Sequence, residues 1–164
     1  MSEETALGEL NSVKYLYLQQ LTEPRDNSLR IVVQEAVDNR SGQVRSDLPA
    51  LPELSEILRD SWTIESIEGC KTFDLYWKHY AAYLVTEEMV GSIGRYDDEV
   101  FSGKLLRVYS RSHFLDHLAR DTGGHPEPIQ HYKLICLNHL IDVAAYAPPE
   151  IRVITGAPKS LRPR

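Results

Sequence analysis

The spacing of hydrophobic residues changes at Ser112, and this change constrains the fold more than any other feature of the chain. Before Ser112 the clearest pattern is alternation, as in residues 73–77, where Phe73, Leu75 and Trp77 would all face a core. Over residues 112–120 the apolar residues instead fall on one helical stripe, with Ser110 or Ser112 as the N-cap and Gly123 at the position of a left-handed C-cap. We therefore predict an α+β fold, in which an antiparallel β-sheet has one or two helices packed on it.

Other segments are rich in β-branched and aromatic residues and predict further strands. These segments are residues 13–18, 29–37, 62–68, 80–86 and 104–109. Residues 10–21 also fit a helix, so the first strand has an alternative. The apolar run over residues 132–143 fits either one central strand covered on both faces or two strands broken near Asn138.

Turn and loop residues separate these segments. Proline, aspartate and asparagine over residues 22–27 predict a turn that joins the first two strands into a hairpin. Residues 38–52 are polar and predict a loop, which is followed by a short helix over residues 52–60. Two glycines and an acidic pair predict another turn over residues 91–98.

Length and charge distribution predict one domain with a basic tail. A chain of 164 residues is long enough to bury one core, because folding at this size removes roughly 70% of the surface that the unfolded chain exposes. The net charge is -6, yet residues 152–164 contain four basic and no acidic residues. We therefore assign residues 1–151 to a single α+β domain and residues 152–164 to a solvated basic C-terminal tail.

Composition also bears on the compartment and the partners. The start of the chain is acidic and polar, whereas a signal peptide needs a basic start and an apolar run. Cys70 and Cys136 lack CxxC spacing, which predicts reduced thiols. No apolar stretch approaches the roughly 20 residues that span a bilayer. We expect a cytoplasmic protein without membrane association, and the acidic charge argues against nucleic acid as a partner.

Five of the six histidines lie between residues 113 and 139. His113 and His117 are four residues apart on the predicted helix, which places two imidazoles on one face, a spacing that suits zinc. A metalloprotease would have glutamate directly after the first of them, where this chain has Phe114. His113 and His117 are thus candidate metal ligands, and the third ligand would be His125, His131 or Asp142. The lack of dense Cys/His spacing instead favours partly exposed side chains and no metal.

Signals for catalysis and for cofactors are sparse. No serine lies in a GxSxG motif, and Cys136 lies in an apolar run that favours a buried, inert thiol over a nucleophile. Residues 91–94 lack the third glycine and the Lys-Ser/Thr pair of phosphate-binding loops. We expect no cofactor, and a protein without enzymatic activity in preference to an enzyme.

Tyrosines are concentrated on the predicted strands. The sequence has nine of them, and tyrosine is enriched at protein interfaces because it buries area while its hydroxyl stays in water. Filling of a broad core is the alternative. Tyr80 and Tyr83 are therefore candidate binding residues.

Residues 73–151 carry a pattern of aromatic and polar residues that includes Tyr80-Ala81-Ala82-Tyr83 with Glu87. The pattern continues from Gly103 to Phe114-Leu115-Asp116, and from His131-Tyr132 through Asn138-His139-Leu140-Ile141-Asp142-Val143 to Pro149. In these residues the chain resembles a group of small bacterial single-domain proteins of unknown function. The resemblance implies a bacterial, cytoplasmic protein and nominates a set of polar site residues: Glu87, Arg107, Ser112, His131 and Asp142.

Two hypotheses about function follow. The first is a non-catalytic bacterial protein of the immunity or defence-accessory type, which binds a protein partner through an aromatic and acidic surface; a homodimer is also compatible with the sequence. The alternative is a small hydrolase-like enzyme whose site gathers Glu87, Arg107, His131 and Asp142. The first predicts a flat, exposed apolar and aromatic patch, and the second predicts that these four side chains converge in one pocket.

Overall fold

A computed structural model describes residues 3–39, 63–90, 98–124 and 128–155. Within these ranges the chain forms helices α1 (Glu3–Ser12) and α2 (His113–Thr122). The strands are β1 (Tyr15–Thr22), β2 (Leu29–Asn39), β3 (Thr63–Glu65), β4 (Lys71–Trp77), β5 (Tyr80–Glu87), β6 (Val100–Ser102), β7 (Leu106–Arg111), β8 (Gln130–Ile135), β9 (His139–Ala145) and β10 (Glu150–Thr155). No helix among the described residues is both long and apolar enough to cross a membrane.

The described strands form two antiparallel sheets. Sheet 1 has the order β1-β2-β4-β10, with β3 paired to β2, and sheet 2 has the order β5-β9-β8-β7-β6. Only Lys78 and His79 separate β4 from β5, so one nearly continuous stretch of chain leaves sheet 1 and enters sheet 2. The α+β fold with antiparallel sheets is confirmed, and it contains two sheets where the sequence predicted one.

The inner faces of the two sheets share one hydrophobic core. Phe73, Leu75 and Trp77 on β4 are fully buried, as their alternation predicted. Sheet 2 contributes further side chains to the same core, among them Tyr132, whose ring centroid lies 5.9 Å from that of Trp77. Contacts between aromatic side chains therefore join the two sheets through the centre of the protein.

Several local predictions are confirmed. The segment predicted over residues 13–18 is strand from Tyr15 onward rather than helix, and β1 pairs with β2 as an antiparallel hairpin. The apolar run over residues 132–143 is two strands, β8 and β9, which are separated at Asn138. The Ser112 side chain accepts a hydrogen bond from the Leu115 N–H as the N-cap of α2, and Gly123 ends this helix in the left-handed conformation, with φ of 71°.

The two helices pack differently. The predicted helix, α2, has no fully buried residue. The helix that the sequence did not predict, α1, buries Ala6 and Leu10 in the core. Its signal is weak because the few apolar residues of this stretch stand among glutamates, and Gly8 lowers its helix propensity.

The last described strand corrects the predicted boundary of the basic tail. Residues 152–155 belong to β10, which pairs with β4 from Glu150 opposite Tyr76 to Thr155 opposite Lys71. Alternation of half-buried and exposed side chains on β10 accounts for this, since Ile151 and Val153 pack against the core. Residues 156–164 lie outside the described residues.

Other differences concern segments between the strands. Strand β6 was not predicted, and the strand expected over residues 62–68 is described only as the three-residue β3. The short helix over residues 52–60, most of the loop over residues 38–52 and most of the turn over residues 91–98 lie outside the described residues.

Asn138 bonds the two sheets together. It lies in the turn between β8 and β9, in sheet 2, and its Oδ1 accepts a hydrogen bond from the Leu18 N–H of sheet 1 at 2.9 Å. Its Nδ2 donates to the Leu18 carbonyl oxygen at 3.1 Å. The amide thus satisfies both backbone groups of one residue in β1, at the point where the pairing of β1 with β2 contains a bulge.

Asn11 performs a similar role between α1 and sheet 2. Its Oδ1 accepts hydrogen bonds from three successive backbone N–H groups at 2.8, 2.8 and 3.0 Å; the donors are Lys104, Leu105 and Leu106. These residues lie between β6 and β7 or begin β7. One oxygen therefore fixes the end of α1 to the start of a sheet 2 strand.

Candidate functional site

His131 and Asp142, both nominated from the sequence, form a buried pair on the outer face of sheet 2. His131 Nε2 lies 2.9 Å from Asp142 Oδ1, and Lys133 Nζ lies 3.3 Å from the same oxygen. Pairing in the sheet explains this, because Lys133 is opposite Asp142 and His131 is two residues from Lys133 on the same face. A carboxylate only accepts, so His131 Nε2 carries the proton and donates it.

Aromatic rings enclose His131. Its imidazole stacks on Tyr109, with centroids 4.3 Å apart and planes 20° apart, and the ring of Phe114 from α2 lies at 5.0 Å. His131 is only 2% exposed, and its Nδ1 is buried without a hydrogen-bond partner among the described residues. A general base must reach the proton that it abstracts, and neither ring nitrogen of His131 is accessible in this conformation. The imidazole of His131 therefore packs β8 against Phe114 of α2.

Arg107 and Ser112, also nominated from the sequence, have structural partners. Arg107 is opposite Lys133 in the pairing of β7 with β8, and its guanidinium carbon lies 4.5 Å from the centroid of the Phe101 ring. Ser112 is buried, and its hydroxyl oxygen is used in the capping of α2. The structure thus brings Arg107, His131 and Asp142 to one face.

Glu87 is separated from the other nominated residues. On β5, Leu84 is opposite Asp142, and Glu87, three residues further, is opposite His139. An odd number of residues along a strand reverses the face, so Glu87 projects from the side of sheet 2 opposite to Asp142. The pocket that was to gather Glu87, Arg107, His131 and Asp142 is therefore not formed.

Tyr80 and Tyr83 share one face of β5 because a bulge lies between Tyr80 and Ala82. Their rings meet edge to face at 5.2 Å, and the Tyr83 hydroxyl donates to Glu23 Oε1 at 2.8 Å. The pKa of Tyr83 is raised by this hydrogen bond and by burial, and that of Tyr80 by burial and then by Glu23. Both phenols are half-buried and tie β5 to the turn after β1, so they do not form the expected exposed aromatic patch.

The two helical histidines point to different carboxylates. His113 Nε2 lies 3.0 Å from Asp98 Oδ1, and His117 Nε2 lies 3.4 Å from Asp121 Oδ2. Across the part of the chain that the structure describes, no three potential ligand side chains lie close enough to hold a metal ion. His125 is outside that part. The described geometry gives no support to a shared metal at His113 and His117.

An exposed aliphatic surface follows β5 and the turn after it. We call it the β5 patch; it comprises Leu84, Val85, Met89 and Val90, which are 51, 39, 88 and 76% exposed. Leu84 and Val85 are adjacent in a strand and project to opposite faces, so both faces carry apolar surface. This patch was not predicted from the sequence, although two consecutive aliphatic residues directly before Thr-Glu-Glu could have indicated it.

The position of β5 in its sheet makes the patch accessible. It is the terminal strand of sheet 2, so among the described strands it has a neighbour, β9, on one edge only. Soluble proteins commonly protect such edges with lysine or proline. The eight residues of β5 include neither, and the acidic side chains of Glu87 and Glu88 are exposed at its end.

Comparison of this chain with protein-family models, with curated protein sequences and with solved structures gave no match. The resemblance to small bacterial proteins therefore stays a prediction, and functional conclusions here depend on the geometry of the chain itself.

Proposed function

We propose that this protein binds a protein partner, and that the partner adds an extended segment to the outer edge of β5. The observation that carries this proposal is the exposure of Leu84 and Val85 on a terminal strand. In strand addition, backbone hydrogen bonds along the edge provide affinity, and alternate side chains of the edge strand provide specificity.

The chemistry of the edge indicates the kind of partner. Leu84 and Val85 offer apolar contacts on the two faces of the strand, and Met89 and Val90 extend them beyond it. Glu87 and Glu88 place two negative charges beside this surface, on a chain whose net charge is -6. The complementary segment is extended, carries aliphatic side chains, and has lysine or arginine where it passes the two glutamates.

A small acidic protein that covers a basic surface of its target fits the immunity or defence-accessory type. This class is part of our proposal, and the acidic charge and the β5 patch support it. The enzyme hypothesis has less support, since His131 is enclosed and Glu87 projects from the other face of sheet 2.

A photo-crosslinking amino acid at position 84 tests this proposal in the native host. The matched control carries the same group at Ile154, which is 47% exposed and lies on β10, the terminal strand of sheet 1. We expect a discrete crosslinked protein from position 84 and none, or a different one, from position 154. The same crosslinked protein in equal yield at both positions, or no crosslink at position 84, would contradict the proposal.

Substitution then tests the chemistry of the contact. Val85→Lys places a charge on the edge, which opposes the basic segment that we propose, and is expected to abolish recovery of the crosslinked partner. Ile154→Lys makes the same change on the other sheet and should leave recovery unchanged. Circular dichroism and thermal unfolding of both variants distinguish loss of binding from loss of fold.

A further inference from the structure

A second binding feature lies between α1 and the inner face of sheet 2, and none of its lining residues belongs to the β5 patch. It is a mostly apolar pocket of about 280 Å³. Helix α1 contributes Leu7 and Glu4, and β7 contributes Leu106 and Val108. Tyr132 lies beside Val108 on the neighbouring strand β8. Ile151 of β10 and two prolines complete the lining. Four elements of the fold thus meet around one cavity, where the two sheets approach each other under α1.

The polar groups that line this pocket differ in charge. The Tyr132 phenol is neutral at pH 7, as phenols ordinarily are, and burial raises its pKa further from that pH. Glu4 lies on the exposed first turn of α1 and contributes a carboxylate. Among the described residues that line the pocket, Glu4 is the single charged side chain. The lining therefore combines an apolar body with one negative group at its edge.

Volume limits the occupant. An apolar cavity of about 150 Å³ accepts a benzene molecule. A pocket of about 280 Å³ accordingly suits a body of about two fused rings, on the order of 10–12 non-hydrogen atoms. This is smaller than the cavities that hold most drug-sized ligands.

We propose that this pocket binds a small aromatic or aliphatic amine, with its apolar body against Leu7, Val108 and Ile151 and its ammonium group beside Glu4. A cation fits the charge of the rim, whereas a carboxylate of the same size would meet repulsion from Glu4. The site uses the inner face of sheet 2 and α1, so it is independent of the proposed partner site on β5.

Three compounds of nearly equal size test the proposal: 1-naphthylmethylamine, 1-naphthylmethanol and 1-naphthoic acid. Titration of the ¹⁵N-labelled protein reports the location of binding and the Kd through backbone amide shifts. We expect saturable shifts at residues 7, 108 and 151 with the amine. Because Glu4 is exposed, the alcohol should bind two- to fivefold more weakly, and the acid more weakly still.

Two variants separate charge from volume. Glu4→Gln should make the amine bind no better than the alcohol, whereas the control Glu88→Gln, on the exposed turn after β5, should leave the difference intact. Leu7→Trp fills the pocket and should reduce the affinity for all three compounds at least tenfold. The proposal is overturned by shifts confined to other residues, by the absence of saturable shifts up to 5 mM amine, or by an acid that binds as tightly as the amine.

Discussion

Asn11→Ala removes the oxygen atom that three backbone N–H groups share. The three donors, from Lys104 to Leu106, lie 2.8–3.0 Å from Asn11 Oδ1. A typical intramolecular hydrogen bond contributes about 1 kcal/mol net, and a buried donor left unpaired costs more. Two effects reduce this loss. The Lys104 N–H is exposed and can donate to water instead, and alanine has a helix propensity up to roughly 0.7 kcal/mol more favourable than that of asparagine. We therefore expect the free energy of unfolding to fall by about 2 kcal/mol.

Asn11→Asp is the informative companion variant. It keeps an acceptor oxygen in the same place and loses only the Nδ2 group, which donates to the Leu7 carbonyl at 3.2 Å. The introduced carboxylate strengthens the three bonds because they become charge-assisted, and its position near the C-terminus of α1 offsets part of this gain. We expect a free energy of unfolding within about 1 kcal/mol of the native protein at pH 7.

Urea unfolding followed by circular dichroism measures both changes. Ser12→Ala is the control, because the Ser12 hydroxyl donates an exposed hydrogen bond to the Glu9 carbonyl of the same helix. It should change the free energy of unfolding by less than about 0.5 kcal/mol. If Asn11→Asp lowers the free energy of unfolding as much as Asn11→Ala does, the complete amide group is required and an acceptor oxygen alone is not sufficient. If Asn11→Ala is within 0.5 kcal/mol of the native protein, the three-bond account is refuted.

Three further predictions concern stability. Asp142→Leu should lower the free energy of unfolding by about 2–3 kcal/mol, because the buried His131 N–H loses its acceptor. Adding His131→Phe should restore at least about 1 kcal/mol of this in urea unfolding. Purely additive losses from the two substitutions would refute the coupling between the residues. Burial raises the pKa of the Cys136 thiol from 9.0 to about 12. As the pH rises, the thiol therefore loses its proton first in the unfolded state, and the free energy of unfolding should decrease between these pH values. Cys136→Ala should show a smaller decrease, and identical pH profiles for the two proteins would contradict this prediction. Gly103→Ala should lower the free energy of unfolding by at least about 2 kcal/mol, because Gly103 has φ of 88° and an added Cβ would meet a β7 carbonyl oxygen. The control Gly8→Ala lies in α1, where an added Cβ meets nothing within 4 Å, and it should raise the melting temperature.

Local patterns in the sequence predicted the elements whose signals are themselves local. Ser112 and Gly123 indicate the ends of α2 because capping depends on residues within one turn. The burial of Phe73, Leu75 and Trp77 follows from a period of two. The start of the chain has no comparable signal, and α1 is held by Asn11, whose partners lie more than 90 residues away.

The candidate site also combines features that have a local sequence signal with features that depend on distant parts of the chain. His131 and Asp142, both nominated from the sequence, lie in contact with each other. Their enclosure by Tyr109 and Phe114 depends on strand pairing and on the position of α2, neither of which the sequence pattern specifies. The face on which Glu87 lies depends on the pairing of β5 with β9, which only the three-dimensional structure determines.

Asn138 has a consequence for the order in which the protein is made and folded. The amide that completes β1 at Leu18 is encoded 120 positions later, and β10, the last described strand, is the neighbour of β4 in the same sheet. During synthesis the first hairpin leaves the ribosome long before either of these partners exists. We therefore expect the nascent chain to remain incompletely folded until β10 emerges, and to depend on protection from aggregation during that interval.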